Sequence, residues 1–198
     1  VLADAAGRDI VLLGETHDSA EHHRWQLSVL AGLLALRPDL VIGFEAFPAR
    51  LQPVLDRWSE GALDGAGLLA ETDWRRIWRV EPGLYLPLFH LARLYRLPML
   101  ALNIDRSFVT RVAAEGWAAI PLAERQGLSD PEPPTASYRD RLASHFRRHG
   151  GQEDDRPDAA FERFVEAQLT WDRAMAEALA QTRVQATAPL VVGIIGSE

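Results

Sequence analysis

Four short apolar runs, separated by longer amphipathic stretches, dominate the hydrophobic pattern of the chain. The runs are Ile10–Gly14, Leu40–Phe44, Pro98–Asn103 and Leu190–Gly196. Each is almost continuously apolar rather than alternating, which is typical of parallel strands covered on both faces. Because helical patterns separate the runs, we predict an α/β fold with a mostly parallel sheet flanked by helices.

The stretches between the predicted strands carry helical periodicity. The first helix is predicted over Ser19–Leu36, with Asp18 as its N-cap and Glu21 as the capping-box partner. Further helices are predicted at Pro48–Trp58, Leu84–Arg96, Asp105–Glu115, Tyr138–His149 and about Asp158–Gln181. We therefore predict a sheet domain formed by 1–114 and 183–198, with a small helical lobe over 115–182 inserted before the last strand.

Polar side chains follow the predicted strands at their carboxyl ends, where open parallel sheets form their sites. Glu15 and His17 follow the first strand, and Glu45 follows the second. His22 and His23 open the next helix, so they are expected near the same edge. These residues could hold a divalent metal, or His17 could act as a general base. In the alternative interpretation, His22 and His23 are solvated residues at a helix start.

A second polar group lies on the first helix of the predicted lobe. Ser137 and Asp140 form a capping box, which predicts that the helix begins at Tyr138. One stripe of this helix carries Tyr138, Leu142, His145 and His149. A phenolate can ligate ferric haem iron, and the nearby Arg141 could hold a propionate. The alternative is an amphipathic helix whose tyrosine packs on the rest of the protein.

Composition narrows the classes of function. The 198 residues include 21 basic and 28 acidic side chains, a net charge of −7, and every basic residue is arginine. This excludes a Schiff-base or P-loop lysine and argues against nucleic-acid binding. Because there is no cysteine, disulfides, thiolate metal sites and covalent c-type haem attachment are excluded.

Several segments resemble the ChaN-like haem-binding family. They are LLGETHDSAEHHRWQ (Leu12–Gln26), GFEAFPARLQPVLDRW (Gly43–Trp58), YLPLFHLARLYRLPMLALN (Tyr85–Asn103), FERFVEAQLTWDRAMAEAL (Phe161–Leu179) and VVGIIGS (Val191–Ser197). They occur in the right order over nearly the whole chain. The wider Tiki/TraB/erythromycin-esterase grouping shares a Gly-x-x-His motif, which is Gly14-Glu15-Thr16-His17 here.

The resemblance implies a haem-binding protein of bacterial iron or haem uptake rather than an enzyme. It implies non-covalent haem at a homodimer interface, ligated by a tyrosine, with a histidine of the other subunit at the propionates. We assign these roles to Tyr138 and to His145 or His149, with Tyr85 as the reserve ligand. The resemblance also implies a periplasmic protein or outer-membrane lipoprotein, with an outer-membrane haem receptor as a partner.

The wider grouping implies a second hypothesis, because it also contains an esterase and a metal-dependent protease built on the Gly-x-x-His edge. In that hypothesis the chain is a hydrolase or metalloenzyme that uses Glu15, His17 and Glu45. A third possibility is that the strand edge is catalytically inert and that the protein only binds a partner.

Overall fold

The structure is a computed structural model and describes residues 1–148, 157–182 and 188–197. Its strands are β1 (Ile10–Glu15), β2 (Leu40–Pro48), β3 (Met99–Asn103) and β4 (Leu190–Gly196). Its helices are α1 (Leu2–Ala6), α2 (Ala20–Leu36), α3 (Gln52–Ser59), α4 (Gly65–Glu71), α5 (Trp74–Ile77), α6 (Pro82–Leu94), α7 (Arg106–Glu115), α8 (Ala136–Arg148) and α9 (Pro157–Gln181). The predicted α/β class, with a helical segment before the last strand, is confirmed.

The four strands form one parallel sheet in the order β1-β4-β2-β3. The central strands are buried almost continuously, at Leu40–Phe44 and Leu190–Ile194. The edge strand β1 alternates instead, with Leu12 half exposed and Leu13 buried. The prediction of two-sided burial is therefore correct for β2 and β4 and wrong for β1.

Aromatic side chains form much of the core on which the sheet rests. The cluster contains Phe44, Phe47, Trp74, Tyr85 and Phe89, all of them buried. Neighbouring rings in it meet at tilted or edge-on angles with centroids 5.0–6.2 Å apart, the arrangement that aromatic quadrupoles favour. This packing fixes α6, one of the helices that bring side chains to the strand edge.

Contacts divide the chain into two compact units. The sheet unit comprises Val1–Asn103 with Ala178–Glu198, and the helical unit comprises Ile104–Glu177. The helical unit has its own buried cluster, which includes Phe108, Val112 and Ile120. The domain boundaries predicted from the sequence stay a prediction. Among the described residues, no helix combines the length and apolar character needed to cross a bilayer.

Helix starts differ from the predictions. Ser19, not Asp18, caps α2, because its hydroxyl accepts from the backbone N–H of His22. Helix α8 begins two residues before Tyr138, and the Thr135 hydroxyl accepts from the Tyr138 N–H, so Ser137 is not the cap. Two helices, α1 and α4, were not predicted, because at seven residues or fewer they are too short to show periodicity.

Candidate functional site at the strand edge

The carboxyl ends of all four strands lie along one edge of the sheet, because the strands are parallel. Glu15 ends β1, and Gly196, at the end of β4, is its partner in the β1–β4 pairing. The Ser197 backbone N–H and hydroxyl both donate to the Glu15 carbonyl oxygen, at 2.9 and 3.0 Å. These bonds tie the end of β4 to the residue that carries the buried carboxylate.

Glu15 and His17 form a hydrogen-bonded pair at this edge. Glu15 shares the buried face of β1 with Leu13 and is 1% exposed. Its Oε1 lies 2.9 Å from Nδ1 of His17, whose side chain is 39% exposed. An ionised carboxylate only accepts hydrogen bonds, so His17 donates from Nδ1. A half-exposed imidazole oriented by a buried carboxylate is an arrangement suited to general-base chemistry.

Further donors keep Glu15 ionised. Tyr85 of α6 donates its hydroxyl to Oε1, and Gln26 of α2 donates to Oε2 at 3.0 Å. Burial acts to raise the pKa of Glu15, but hydrogen bonds from His17 and Tyr85 and further favourable contacts outweigh it. The pKa of Glu15 therefore lies below its usual value of 4.5. Tyr85 could not be paired with Glu15 from the sequence, since the two are 70 positions apart.

His22 and His23 hold the loop between β1 and α2. Nδ1 of His22 accepts from the Thr16 backbone N–H at 2.9 Å, and Nε2 of His23 lies 2.9 Å from the His17 carbonyl oxygen. His22 is half-buried and His23 is 4% exposed. The interpretation as a solvated helix-start residue is therefore wrong for His23, whereas His22 is only half-buried. Both satisfy backbone groups of the loop that carries His17.

Glu45 reaches the same edge from β2. The pairing of β2 with β4 ends at Phe44 and Ile194, and the register of β2 against β3 shifts after Phe44. The Gly196 backbone N–H donates to Oε2 of Glu45 at 2.5 Å instead. A Cβ placed on Gly196 would lie 3.2 Å from Nε2 of His17 and 3.3 Å from Oε2 of Glu45. The structure thus brings His17 and Glu45 together on Gly196, which sequence reasoning did not single out.

The metal-binding alternative needs several side chains aimed at one point. Within the described ranges, no group of three or more His, Asp or Glu side chains is arranged to hold a metal ion. The ring nitrogens of His22 and His23 that contact Thr16 and His17 are engaged with backbone groups. The five candidate ligands Glu15, His17, His22, His23 and Glu45 therefore share a region without forming a coordination sphere.

The candidate haem residues on α8 lie in the helical unit. The Tyr138 hydroxyl donates to Asp172 of α9 at 2.6 Å, and the guanidinium of Arg141 lies 5.2 Å from the centre of its ring. His145 stacks on Phe164 with ring centroids 6.0 Å apart. The predicted stripe thus faces α9 at these positions, with Leu142 buried beside them. His149 lies outside the described residues.

Both candidate tyrosine ligands are phenols in this structure. Burial, followed by the hydrogen bond to Asp172 and the charge of that carboxylate, raises the pKa of Tyr138 above its usual value. Burial and the charge of Glu15 raise the pKa of Tyr85 likewise. The two tyrosines differ in how exposed they are to a ligand. Tyr138 is half-buried, whereas Tyr85 is 1% exposed and donates to Glu15. Tyr138 is the better placed of the two to meet a large ligand.

Comparison with known proteins gives one family, and two of the similar solved structures are described here. The profile of the family described as haem-binding uptake, Tiki superfamily, ChaN matches residues 1–198. A structure described as cofacial haem binding to ChaN of Campylobacter jejuni is 20% identical with a TM-score of 0.74, covering 99% of this chain and 73% of that one. RRSP, a MARTX toxin effector domain from Vibrio vulnificus CMCP6, is 19% identical with a TM-score of 0.53, covering 98% and 29%. At these identities the structures show the fold alone. No curated protein matches the chain.

Proposed function

Because this chain belongs to the ChaN family of haem-binding uptake proteins in the Tiki superfamily, we propose that it binds haem non-covalently in bacterial haem or iron uptake. The family match over residues 1–198 is the observation that carries the proposal. It confirms the family resemblance read from the sequence. The absence of cysteine excludes the thioether attachment of c-type haem, which needs a thiol, and so supports non-covalent binding.

Tyr138 is the iron ligand in this proposal. The donor chemistry of α8 fits haem, since a phenol oxygen and an arginine lie side by side on one helix. Haem supplies a ferric iron and two propionates when bound. Tyr138 would exchange its hydrogen bond to Asp172 for the iron, and Arg141 would pair with a propionate through its planar guanidinium. We do not propose Tyr85, because its hydroxyl is buried against Glu15.

We propose that haem binding is coupled to dimerisation of the protein and to exchange of haem with a receptor. Haem is a large apolar ring, so two subunits that bury it between them gain stability from the removal of that surface from water. His145 or His149 would then meet the propionates of the haem bound by the other subunit. We further propose a periplasmic or outer-membrane-anchored location and an outer-membrane haem receptor as partner, as expected for a haem-uptake protein.

The test of haem binding is a haemin titration followed by absorbance and by size-exclusion chromatography. We expect a shifted Soret band that saturates, and a dimer peak that appears only with haemin. Tyr138→Phe should remove the tyrosinate charge-transfer absorption and weaken binding. Tyr95→Phe is the matched control, because Tyr95 is exposed and lies outside the helical unit. Absence of a Soret shift in the unmodified protein would exclude haem binding.

A second candidate function rests on the Glu15–His17 pair. A buried carboxylate 2.9 Å from a half-exposed imidazole is the orienting half of a general-base site. We propose that Glu15 orients His17, that His17 takes a proton from the attacking nucleophile, and that Glu45 faces the same space. Ester and peptide substrates should be tested with His17→Ala as the inactive variant, together with metal analysis of the purified protein. Turnover that is unchanged in His17→Ala would exclude this function.

A further inference from the structure

His23 contacts the strand-edge pair from its buried side. Its Nε2 lies 2.9 Å from the main-chain carbonyl oxygen of His17, and the residue is 4% exposed. A carbonyl oxygen can only accept, so Nε2 of His23 must carry a hydrogen. This bond fixes the main chain of His17, whereas the bond that His17 donates to Glu15 fixes its ring.

The other nitrogen of His23 faces the carboxylate that orients His17. Nδ1 of His23 lies 3.3 Å from Oε2 of Glu15, and among the described residues it has no hydrogen-bond partner. Gln26 donates to the same Oε2, and His17 and Tyr85 contact Oε1. Both carboxylate oxygens of Glu15 are thus contacted by neighbouring side chains, and His23 of α2 is one of them.

We propose that His23 is a positioning residue for His17, which it holds through the His17 carbonyl and through its contact with Glu15. The proposal rests on the second candidate function, in which His17 is the base. The contacts form a closed circuit: His23 holds the backbone of His17, His17 donates to Glu15, and Glu15 lies against His23. Two attachments on one residue define the direction of its imidazole better than either alone, and general-base catalysis depends on that direction.

Simple core packing is the competing explanation, because the His23 ring also lies 4.3 Å from the ring of Tyr85. His23→Phe retains a ring against Tyr85 and removes both nitrogens. His23→Gln removes the ring but supplies a side-chain N–H that can reach a carbonyl. His90→Phe is the control, because His90 is an exposed histidine whose ring packs on Trp58 in the same unit. A packing role predicts that Phe substitutes better than Gln, and a positioning role predicts the opposite.

The first readout is the ¹⁵N spectrum of the histidine rings, which needs no substrate. In the unmodified protein we expect His17 protonated on Nδ1 and His23 protonated on Nε2. His23→Phe should shift the His17 ring signals towards a mixture of tautomers, and His23→Gln should restore much of the original pattern. An unprotonated Nε2 on His23 in the unmodified protein would overturn the proposal without any variant, so a variant that fails to fold leaves it testable.

The second readout is kinetic and applies where hydrolysis is found. Misplacement of a catalytic group by about 1 Å costs on the order of 100-fold, so we expect kcat of His23→Phe to fall by about 10- to 100-fold with KM little changed. His23→Gln should recover part of that loss, and His90→Phe should match the unmodified protein. A folded His23→Phe with unaltered His17 signals would overturn the positioning role. Absence of hydrolysis with altered His17 signals would remove the second function and retain the positioning role.

Discussion

Gly196 lies directly against the imidazole of His17: a Cβ built on Gly196 would be 2.9 Å from Cε1 of His17. Real Cβ atoms essentially never approach another heavy atom so closely, so a side chain at this position must displace the ring. The same Gly196 donates its N–H to Glu45, so its backbone is held in place. The close approach of His17 to the sheet edge therefore depends on the absence of a side chain at residue 196.

Gly196→Ala should displace His17 and weaken its hydrogen bond to Glu15. We expect altered His17 ring ¹⁵N signals and a free energy of unfolding lower by about 1–3 kcal/mol, the usual cost of overpacking. Gly65→Ala is the control, because a Cβ there meets nothing within 4 Å. Unaltered His17 signals in Gly196→Ala would mean that the ring does not rest on this residue in solution.

The strands could be predicted from the sequence, because buried parallel strands are marked by local apolar runs. The predicted Leu190–Gly196 agrees with β4, and the predicted Leu40–Phe44 is the part of β2 that pairs with β4. The strand order could not be predicted, since β4 inserts between β1 and β2 through pairings about 150 to 180 positions apart along the chain. A local pattern carries no record of such contacts.

The strand-edge site could be predicted only in part, because only some of its residues are close together along the chain. Glu15 and His17 are two positions apart, so their proximity follows from the turn after β1. Tyr85 and Gly196 reach the pair only through the tertiary fold. The burial of His23 depends on which side of α2 faces β1, and a histidine at a helix start is equally compatible with solvent. The haem residues on α8 stay a prediction.

Tyr85→Phe separates the two candidate tyrosine ligands. It removes the hydroxyl that donates to Glu15 and leaves a buried carboxylate short of one donor. We expect the free energy of unfolding to fall by about 1–3 kcal/mol, the usual cost of such a loss. The Soret band on haemin titration should stay as in the unmodified protein, measured beside Tyr138→Phe. Loss of the tyrosinate absorption in Tyr85→Phe but not in Tyr138→Phe would reverse the assignment.

Glu15 should make the sheet unit sensitive to acid. Its pKa in the folded protein lies below 4.5, so the ionised carboxylate contributes stability that is fully present above about pH 4.5 and is lost as the pH falls through the folded pKa. Glu15→Gln should be less stable than the unmodified protein at pH 7, and the difference should shrink below pH 4.5. Urea unfolding at pH 7, 5 and 3.5 measures this difference. A difference independent of pH would contradict the assignment.

Asp172, in the helical unit, should affect the pH dependence of stability in the opposite direction to Glu15. Burial raises its pKa above 3.8, although the Tyr138 hydrogen bond and the charge of Arg141 oppose the shift. The stability contributed by the protonated form is therefore present below about pH 3.8 and is lost as the pH rises through the folded pKa. Asp172→Asn cannot ionise, and its amide oxygen can still accept from Tyr138, so we expect it to be more stable than the unmodified protein at pH 7.

The pH dependence of the stability of Asp172→Asn decides whether the charge of ionised Asp172 destabilises the folded protein. Urea unfolding of the two proteins should differ at pH 7 and converge as the pH approaches 3, because the unmodified Asp172 is then protonated as well. Asp140→Asn on α8 is the matched control, because Asp140 is exposed and pays no comparable burial cost. A loss of stability in Asp172→Asn at pH 7 would mean that the charge of Asp172 is favourable where it lies, and that Tyr138 gives up a stronger partner when it leaves Asp172 for iron.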